Sequence, residues 1–504
     1  MNLVTLGENR LSKIGDIRSY VFEGEEFTSY RLNEMGRRLA GGLKSLGIGR
    51  GDHIVVSMPN SPEVFTCFQA IWRIGAVIVP IMFLLGENET RYILDHSDAK
   101  AVITSKDHLG KIENACQGIG HIKQIIVLGG EDKDGRVDFY RLLNNSEPEP
   151  NFEEMEESDV ALMIYTSGTT GQPKGVMLSH SNLYQNAIAT WQASEASKPD
   201  TTILCLPLAH SFGVVVMNSG FCSPFEESYG VLMSWFDPEE VFRLIEKYRA
   251  TQFIGVPTMY QILLNHPAAD KYDISSLERC SISAAPVTEE LYRAFTTKFN
   301  CNMYEGYGLT EASPAVAIER RSMPRKIGST GIPMPGVEVK IFDHQDNELP
   351  AGQQGEIVVN GPNVMLGYYK RPAETAEALR GGWLHTGDVG YCDEDGYLFI
   401  TDRIKDMIIK GGYNIYPSEI EGCLEEHPGV GEVSVIGIAD EKYGEEIVAF
   451  IVRMPGQELA EEAVIEFAKS KITPFKAPSQ VKFIEGLPKS LVGKVLKKEL
   501  RKMV

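Results

Sequence analysis

The 504-residue sequence lacks the features that define several protein classes. Its eight cysteines form no CxxC pair and lie near no histidine cluster, which argues against a structural zinc site and a disulfide framework. The start, MNLVTLGENRL, lacks the basic and apolar stretches of a secretory signal. The longest apolar run, residues 74–85, is too short to span a bilayer and contains Pro80. We therefore expect a cytoplasmic protein without a transmembrane segment.

Positive charge is also scarce. The formal net charge of −20 disfavours nonspecific binding to nucleic acid or anionic membranes, so no nucleic-acid partner is expected. Residues 470–504 differ, because they carry nine Lys or Arg against two Glu. Such a basic segment indicates either an anionic small ligand or a solvated helix face, and composition leaves both open. The sequence also leaves a homodimer open.

Strand and helix signals alternate along most of the chain. HIVVSM is typical of a buried strand, SPEVFTCFQAIWRIGA of a helix, and VIVPI of a second strand. Short β-branched runs of this kind occur in parallel sheets covered on both faces. After about residue 320, short strands separated by Gly, Pro and Asp turns indicate a smaller β-rich subdomain. The pattern predicts an α/β fold.

The stretch YTSGTTGQPKG, Tyr165–Gly175, combines glycines, hydroxyl side chains and Lys174. Backbone N–H groups freed by glycine, together with hydroxyls, donate hydrogen bonds to phosphate oxygens. The chain contains no Gly–Lys–Ser/Thr triplet, so this is not a Walker A loop. Taken alone, the stretch is either a phosphate-binding loop or a surface loop.

Five motifs together carry a family resemblance. The glycine-rich stretch resembles the corresponding motif of the adenylate-forming superfamily, and so do YGLTE, TGD, DRIKDMIIKGGYNIYP and PKSLVGKV. That superfamily includes acyl-CoA synthetases, luciferases and the adenylation domains of peptide synthetases. The motifs occur in the family's order and spacing over nearly the whole chain.

The resemblance implies a specific domain organisation. The expected N-terminal adenylation domain, residues 1–403, has two layered α/β subdomains plus a distorted β-barrel. We expect residues 404–406 to form a hinge and residues 407–504 to form a small mobile α+β domain. Lys405 occupies the pivot, where relatives carry Asp or Lys.

The chemistry of carboxylate activation explains what such a site needs. A carboxylate is a poor electrophile, whereas an acyl-AMP has a leaving group that a thiol displaces. The phosphates must be held, their charge neutralised and the attacking oxygen aligned. The resemblance implies ATP and Mg²⁺, with CoA as co-substrate.

The resemblance also assigns the phosphate and catalytic residues. Thr310 would bind the α-phosphate and Glu311 would hold Mg²⁺; alone, the pair also fits a helix N-terminus. Lys494 would be the catalytic cation, although without the resemblance it is one lysine of a basic tail. The loop over the β- and γ-phosphates would comprise Thr166, Ser167, Gly168, Thr169, Thr170 and Lys174.

The nucleoside and the pantetheine arm of CoA have their own expected residues. Asp388 suits ribose because a carboxylate accepts hydrogen bonds from both hydroxyls, and Arg403 would be a second ribose contact; Asp388 also reads as a turn residue. Gly411, Gly412 and Tyr413 would border a pantetheine tunnel or form a simple hairpin turn. The expected adenine contacts are Ala284, Ala285, Pro286, Glu305, Gly306 and Tyr307, with alanines where many relatives carry glycines.

The sequence gives a less specific signal for the residues that bind the acyl group. His210 matches a family position at the mouth of the carboxylate pocket, but it also fits a satisfied core histidine. None of the expected walls is charged, which suits an apolar acyl or aryl tail. These walls are Phe212, Gly213, Val214, Val256, Met259, Tyr260, Ser281 and Ser313.

The predicted function is an ATP-dependent, AMP-forming carboxylate–CoA ligase acting on a medium- or long-chain fatty acid. The alternatives are an aryl-carboxylate–CoA ligase and a stand-alone adenylating enzyme that loads a carrier protein. A luciferase-like oxygenase shares the first half-reaction, but residues 236–260 resemble bacterial fatty-acid ligases. A nucleotide-binding regulator would need neither Glu311 nor Lys494.

Overall fold

The structure, a computed structural model, describes residues 2–133, 135–166, 172–285, 287–411, 413–489 and 495–504. It confirms a mixed α/β fold with a large N-terminal domain and a smaller C-terminal domain. Contacts group the chain into two compact units, Met1–Val339 with Val359–His385 and Lys340–Val358 with Thr386–Val504. The predicted hinge at 404–406 lies inside the second unit, and the domain limits built on it stay predictions.

The helices and strands are numbered here in chain order within the described residues. Helices α1 to α15 are Val4–Ile14, Ser29–Ser45, Pro62–Arg73, Glu87–His96, Leu109–Cys116, Phe139–Asn145, His180–Ala193, Ser211–Gly220, Pro238–Tyr248, Pro257–Asn265, Glu289–Phe299, Pro372–Ala378, Pro417–Glu425, Glu461–Lys471 and Lys497–Arg501. Strands β1 to β26 are Arg18–Phe22, Glu25–Thr28, His53–Ser57, Val77–Pro80, Ala99–Ser105, Gln124–Leu128, Arg136–Asp138, Val160–Thr166, Lys174–Ser179, Thr201–Leu204, Tyr229–Leu232, Gln252–Gly255, Arg279–Ile282, Asn302–Gly308, Ala315–Ile318, Ile332–Pro333, Glu338–Phe342, Gly355–Asn360, Gly367–Tyr368, Leu384–Cys392, Leu398–Arg403, Ile408–Lys410, Tyr413–Ile415, Val430–Asp440, Gly444–Arg453 and Gln480–Phe483. Every helix in the described residues is too short or too polar to span a lipid bilayer.

Two large sheets organise the first unit. The nine-stranded sheet has the order β16-β15-β14-β13-β12-β10-β11-β1-β2, and the eight-stranded sheet has the order β19-β9-β8-β4-β3-β5-β6-β7. Strands β10 to β14 pair in parallel, as do β3 to β8 wherever they are neighbours. At one edge of the eight-stranded sheet, β9 runs antiparallel to β8, and β19 runs antiparallel to β9. The strands predicted at HIVVSM and VIVPI are therefore confirmed.

Burial explains the β-branched sequences of these strands. Val55, Val79 and Val102 on adjacent parallel strands are fully buried, and Ile93 of α4 and Ile112 of α5 pack against them. A parallel sheet covered by helices on its faces leaves few positions for polar side chains. The near-continuous apolar runs follow from this arrangement.

Helix α9 shows how local sequence sets an element's limits. Asp237 caps its N-terminus by accepting a hydrogen bond from the Glu240 N–H at 2.8 Å, and Pro238 occupies the first turn. Arg249 ends the helix in a left-handed conformation, with φ +50°. The chain then enters β12, whose C-terminal end borders the site described below.

The second unit contains one small sheet and most of another. The β-rich subdomain, predicted as a distorted β-barrel, contains a four-stranded sheet in the order β17-β18-β20-β21. The other sheet joins β23-β22-β25-β24, with β26 also paired to β25. Its core packs Val435 and Ile447 against Leu424 of α13 and Val464 of α14.

Candidate active site

His210 directly precedes helix α8, and its imidazole caps the N-terminus of that helix. The His210 Nδ1 accepts a hydrogen bond from the Phe212 N–H at 3.2 Å. A neutral imidazole that accepts at Nδ1 carries its proton on Nε2, so this bond assigns the tautomer. Burial lowers the pKa of His210 to about 4, which keeps the ring neutral at pH 7. His210 is therefore a neutral hydrogen-bond donor through Nε2.

The first turn of α8 lies against Pro207, just before the helix, and against Thr310 of the YGLTE motif. A Cβ at Gly213 would stand 2.3 Å from the Pro207 carbonyl oxygen, so this close approach requires glycine. The Ser211 hydroxyl lies 3.1 Å from the Thr310 hydroxyl. Ser211 was not among the predicted site residues, although it directly follows His210.

Thr310 lies in a short 3₁₀ segment, Thr310–Ala312, that follows β14. The residue in the N-cap position is Leu309, and no side chain caps the segment. The helix-cap alternative for Thr310 is therefore wrong. The hydroxyl of Thr310 is instead buried beside Ser211 at the start of α8.

Glu311 is held by a segment that the sequence motifs did not include. Its carboxylate Oε1 accepts a hydrogen bond from the Tyr368 hydroxyl at 3.0 Å. Its backbone carbonyl accepts one from the Met365 N–H at 2.8 Å. Burial and the nearby Glu311 charge raise the pKa of Tyr368, so the phenol retains its proton. The Nζ of Lys174 lies 4.9 Å from the centroid of the Tyr368 ring.

The glycine-rich stretch joins β8 to β9, an antiparallel pair in which Thr166 lies opposite Lys174. Helix α4 anchors both arms of this pair. The His96 Nδ1 lies 2.8 Å from the Tyr165 hydroxyl, and the Tyr92 hydroxyl donates to the Pro173 carbonyl at 3.1 Å. The two ends of the proposed phosphate loop are thus fixed to one helix.

The two segments predicted to flank adenine are neighbours. The Ser283 hydroxyl donates to the Gly306 carbonyl at 2.7 Å. Ala284 adopts φ +77°, a left-handed conformation in which an alanine Cβ is strained. This conformation explains why glycine suits the position. The Tyr307 side chain is only 9% exposed.

Glu305 is buried beside a second carboxylate. Its N–H donates to Glu319 Oε2 at 2.8 Å, and Arg325 forms an ion pair with Glu319 at 3.2 Å. Burial, with a further contribution from the Glu319 charge, raises the pKa of Glu305 to about 8. Glu305 therefore carries a proton at pH 7 and places a neutral carboxylic acid in the predicted adenine region.

An apolar cavity lies between α8, α3 and the ends of β10, β11 and β12. Its volume is about 10 Å³, roughly the space of one water molecule, and none of its lining side chains is polar. The lining residues are Phe65, Leu204, Leu206, Leu208, Gly213, Val216, Met217, Leu232 and Ile254.

The predicted acyl-pocket residues are distributed around this cavity. Gly213 lines it, and Phe212, Val256 and Met259 pack in the adjoining apolar cluster with Leu206 and Ile254. Other members of the predicted set are tied elsewhere: the Tyr260 hydroxyl donates to the Ser281 carbonyl at 2.8 Å, the Ser313 hydroxyl donates to the Asn363 carbonyl at 2.7 Å, and Val214 is fully buried.

The second unit brings the two predicted ribose residues together. Asp388 and Arg403 lie opposite each other on the antiparallel strands β20 and β21, and Arg403 Nε is 2.9 Å from Asp388 Oδ1. The Asp388 side chain is only 5% exposed. Lys405 follows in the 3₁₀ segment Ile404–Asp406, with its side chain exposed.

Strands β22 and β23, on either side of Gly411, form an antiparallel pair. Lys410 of β22 is opposite Tyr413 of β23, and Gly411 has φ +60°, as a tight hairpin turn requires. The Gly411 N–H donates to the Tyr443 carbonyl at 2.7 Å, while Tyr413 is 64% exposed. Gly411 and Tyr413 therefore fit the hairpin alternative, and the tunnel role stays a prediction.

Several predicted residues fall outside the described part of the chain. Lys489 and Val495, which pair antiparallel, flank the stretch that contains Lys494. The predicted residues outside the described ones are Ser167, Gly168, Thr169, Thr170, Pro286, Gly412 and Lys494.

Glu311 is the residue predicted to bind a metal. Within the described residues, no three His, Cys, Asp or Glu side chains cluster as a metal site. Mg²⁺ usually keeps several waters and binds one or two carboxylates together with substrate phosphates, and not a cage of protein ligands. A single oriented carboxylate beside the proposed phosphate residues Thr310 and Lys174 fits that requirement.

Comparisons with known proteins match the chain to enzymes that bind adenosine nucleotides. Residues 8–369 match the family described as AMP-binding enzyme, and residues 419–494 match the AMP-binding enzyme C-terminal domain. The chain is 36% identical to a feruloyl-CoA synthase of Amycolatopsis sp, over 95% of this chain and 94% of that protein. It is 34% identical to a long-chain-fatty-acid–CoA ligase of Bacillus subtilis, over 97% and 92%. The crystal structure of ATP-bound MatB from Rhodopseudomonas palustris superposes with a TM-score of 0.91 at 30% identity, over 100% and 99% of the two chains.

Proposed function

The chain belongs to the AMP-binding enzyme family as an AMP-forming acid–thiol ligase, and we propose that its acid substrate is an aliphatic fatty acid. Enzymes of this family use ATP, Mg²⁺ and CoA. The carboxylate attacks the α-phosphorus of ATP, and pyrophosphate leaves as the acyl-AMP forms. The CoA thiolate then attacks the acyl carbon, and AMP leaves with the bonding electrons.

The apolar lining of the cavity is the observation that supports an aliphatic substrate; at about 10 Å³ the cavity admits an acyl chain only when its lining side chains move apart. It is lined by Gly213 and by eight apolar side chains, so no lining side chain donates a hydrogen bond to a phenolic hydroxyl. Burying an unpaired hydroxyl costs about 1–3 kcal/mol, whereas an alkyl chain gains about 0.8 kcal/mol per buried CH₂. A hydroxylated aryl acid, such as the one in the name of the feruloyl-CoA synthase, is therefore disfavoured.

The position of the cavity also supports this assignment. Gly213, Val216 and Met217 lie on α8, whose first residue, Ser211, contacts Thr310. A helix rises 1.5 Å per residue, so Met217 lies roughly 9 Å along the axis from Ser211. We assign the carboxylate end of the substrate to His210 and Thr310 and the tail to the cavity.

The remaining roles are those that the resemblance of the motifs implies. Thr310 donates to the α-phosphate, Lys174 neutralises the outer phosphates, and Glu311 is the magnesium ligand; bound Mg²⁺ would neutralise phosphate charge. The Nε2–H of His210 donates to the substrate carboxylate. Asp388 and Arg403 keep their predicted ribose role, and Lys494 is the proposed catalytic cation. A cytoplasmic location and a homodimer remain predictions.

A carboxylate panel tests the substrate class. AMP release with CoA is measured for even-numbered acids from acetate to palmitate, and for cinnamate and 4-coumarate as a pair that differs by one hydroxyl. We expect the highest kcat/KM for an aliphatic acid, and a value at least about tenfold lower for 4-coumarate than for cinnamate. A preference for 4-coumarate over every aliphatic acid would refute the proposal.

A further inference from the structure

Tyr368 contacts two residues of the proposed ATP site, although it belongs to none of the motifs in the sequence. Its hydroxyl donates to Glu311 at 3.0 Å, and its ring lies 4.9 Å from the Lys174 ammonium. The two contacts use different parts of one side chain. Tyr368 thus bridges the proposed magnesium ligand and a proposed phosphate ligand.

The backbone around Tyr368 is fixed on both sides. Strand β19 pairs with β9, so Tyr368 lies opposite Val176, two residues after Lys174. The Tyr368 N–H donates to the Thr375 hydroxyl at 2.9 Å. The ring and hydroxyl of Tyr368 therefore have a defined position relative to the strand that carries Lys174.

The same short segment restrains Glu311 twice. The Met365 N–H holds its backbone carbonyl, and the Tyr368 hydroxyl holds its carboxylate. A carboxylate has two oxygens with about four acceptor positions, so a bond to Oε1 does not itself prevent metal ligation. A hydrogen bond to a metal-ligating carboxylate fixes its orientation, and loss of such a partner typically weakens metal binding 10–100-fold.

From this geometry we propose that Tyr368 is a positioning residue that orients Glu311 for the magnesium of bound ATP. The inference rests on the proposed metal role of Glu311. Tyr368 touches neither substrate nor metal in this role; it acts through the Glu311 carboxylate. Its hydroxyl should therefore matter for metal affinity and matter little for metal-free nucleotide binding.

The test measures metal binding directly. The full-length Tyr368→Phe variant keeps the ring beside Lys174 and removes only the hydroxyl. Mn²⁺ is titrated into the complex with α,β-methylene-ATP and followed by electron paramagnetic resonance. We expect the Kd for Mn²⁺ to rise about 10–100-fold. Calorimetry in EDTA should give the wild-type affinity for the metal-free analogue, and raising Mg²⁺ should restore most of the adenylation rate.

Two further variants make the result interpretable. Tyr369→Phe is the matched control, because that hydroxyl bonds Asp98 at 2.7 Å and not Glu311; it should bind Mn²⁺ as the wild type does. Glu311→Gln tests the underlying assignment and should weaken Mn²⁺ binding at least as much as Tyr368→Phe. Thermal melting checks that each variant is folded.

Three outcomes would overturn the inference. If Glu311→Gln weakens Mn²⁺ binding but Tyr368→Phe stays within about twofold of the wild type, Tyr368 does not position Glu311, and the role of Glu311 stands. If neither variant changes Mn²⁺ binding, the assignment of Glu311 itself is wrong. If Tyr368→Phe weakens metal-free analogue binding equally, its effect is a general disturbance of the site.

Discussion

Glu305 should make the stability of the first unit fall between acidic and neutral pH. The unfolded chain releases this proton near pH 4.5, whereas burial and Glu319 hold it in the folded state until about pH 8. The folded state therefore binds the extra proton between these values, and its stability decreases as pH rises through that window. Above about pH 8 both states have lost the proton, so the decrease stops there.

The size of the effect follows from the two pKa values. A rise from 4.5 to about 8, at about 1.4 kcal/mol per pH unit, gives a maximum loss of about 5 kcal/mol across the window. Glutamine stays neutral at every pH and has nearly the same shape. Glu305→Gln should therefore remove most of this pH dependence, so the variant should become more stable relative to the wild type as pH rises.

Urea unfolding of both proteins between pH 4.5 and 8.5, followed by tryptophan fluorescence, measures the difference. Glu227→Gln, at an exposed position of the same unit, is the matched control and should track the wild type. Parallel curves for the wild type and Glu305→Gln would mean that Glu305 ionises normally in the fold. A stability difference that widens towards acid would reverse the sign of the argument.

The remaining predictions concern backbone strain, the cavity and the catalytic cation. Ala284→Gly should raise the free energy of unfolding by about 1 kcal/mol, because φ is +77° there and glycine has no strained Cβ. Ala285→Gly is the control and should not raise it. Equal urea midpoints for Ala284→Gly and the wild type would contradict this prediction. Val216→Phe should lower kcat/KM for long acids more than for acetate, because Val216 lines the cavity. Ile262→Phe, at an exposed position of α10, is the control and should lower neither value. If Val216→Phe lowers kcat/KM equally for all acids, the cavity is not the site of the tail. Lys494→Ala should slow acyl-AMP formation at least about 100-fold, measured by pyrophosphate exchange, yet still convert supplied acyl-AMP to thioester; equal loss in both steps would contradict a role confined to adenylation.

Patterning along the sequence was sufficient for the fold class and for most strands near the site. Buried β-branched runs such as VIVPI coincide with parallel strands because period and burial are local properties of the chain. The pairing of Asp388 with Arg403 was predicted only as a shared role; the structure adds that they are cross-strand neighbours. The distorted barrel stays a prediction, because the structure describes only a four-stranded sheet in that subdomain.

The missed residues depend on contacts between distant parts of the chain. Tyr368 meets Glu311 across 57 positions, and Ser211 meets Thr310 across 99. Sheet order and register decide which side chains meet when they are far apart along the sequence. A single sequence specifies neither the order nor the register. The cavity was missed for the same reason, because its lining comes from the ends of separate strands and from Phe65 on α3.

Strand β19 is only two residues long, yet it forms the outer edge of the eight-stranded sheet beside β9. A fragment of the first unit that stopped before Gly367 would leave the outer N–H and C=O groups of β9 without partners. Strand β9 also carries Val176 and Leu178, both fully buried in the intact chain. Unpaired edges that bear apolar side chains recruit strands from other molecules. Expression boundaries for this unit should therefore lie well beyond Tyr368, and fragments cut earlier should aggregate.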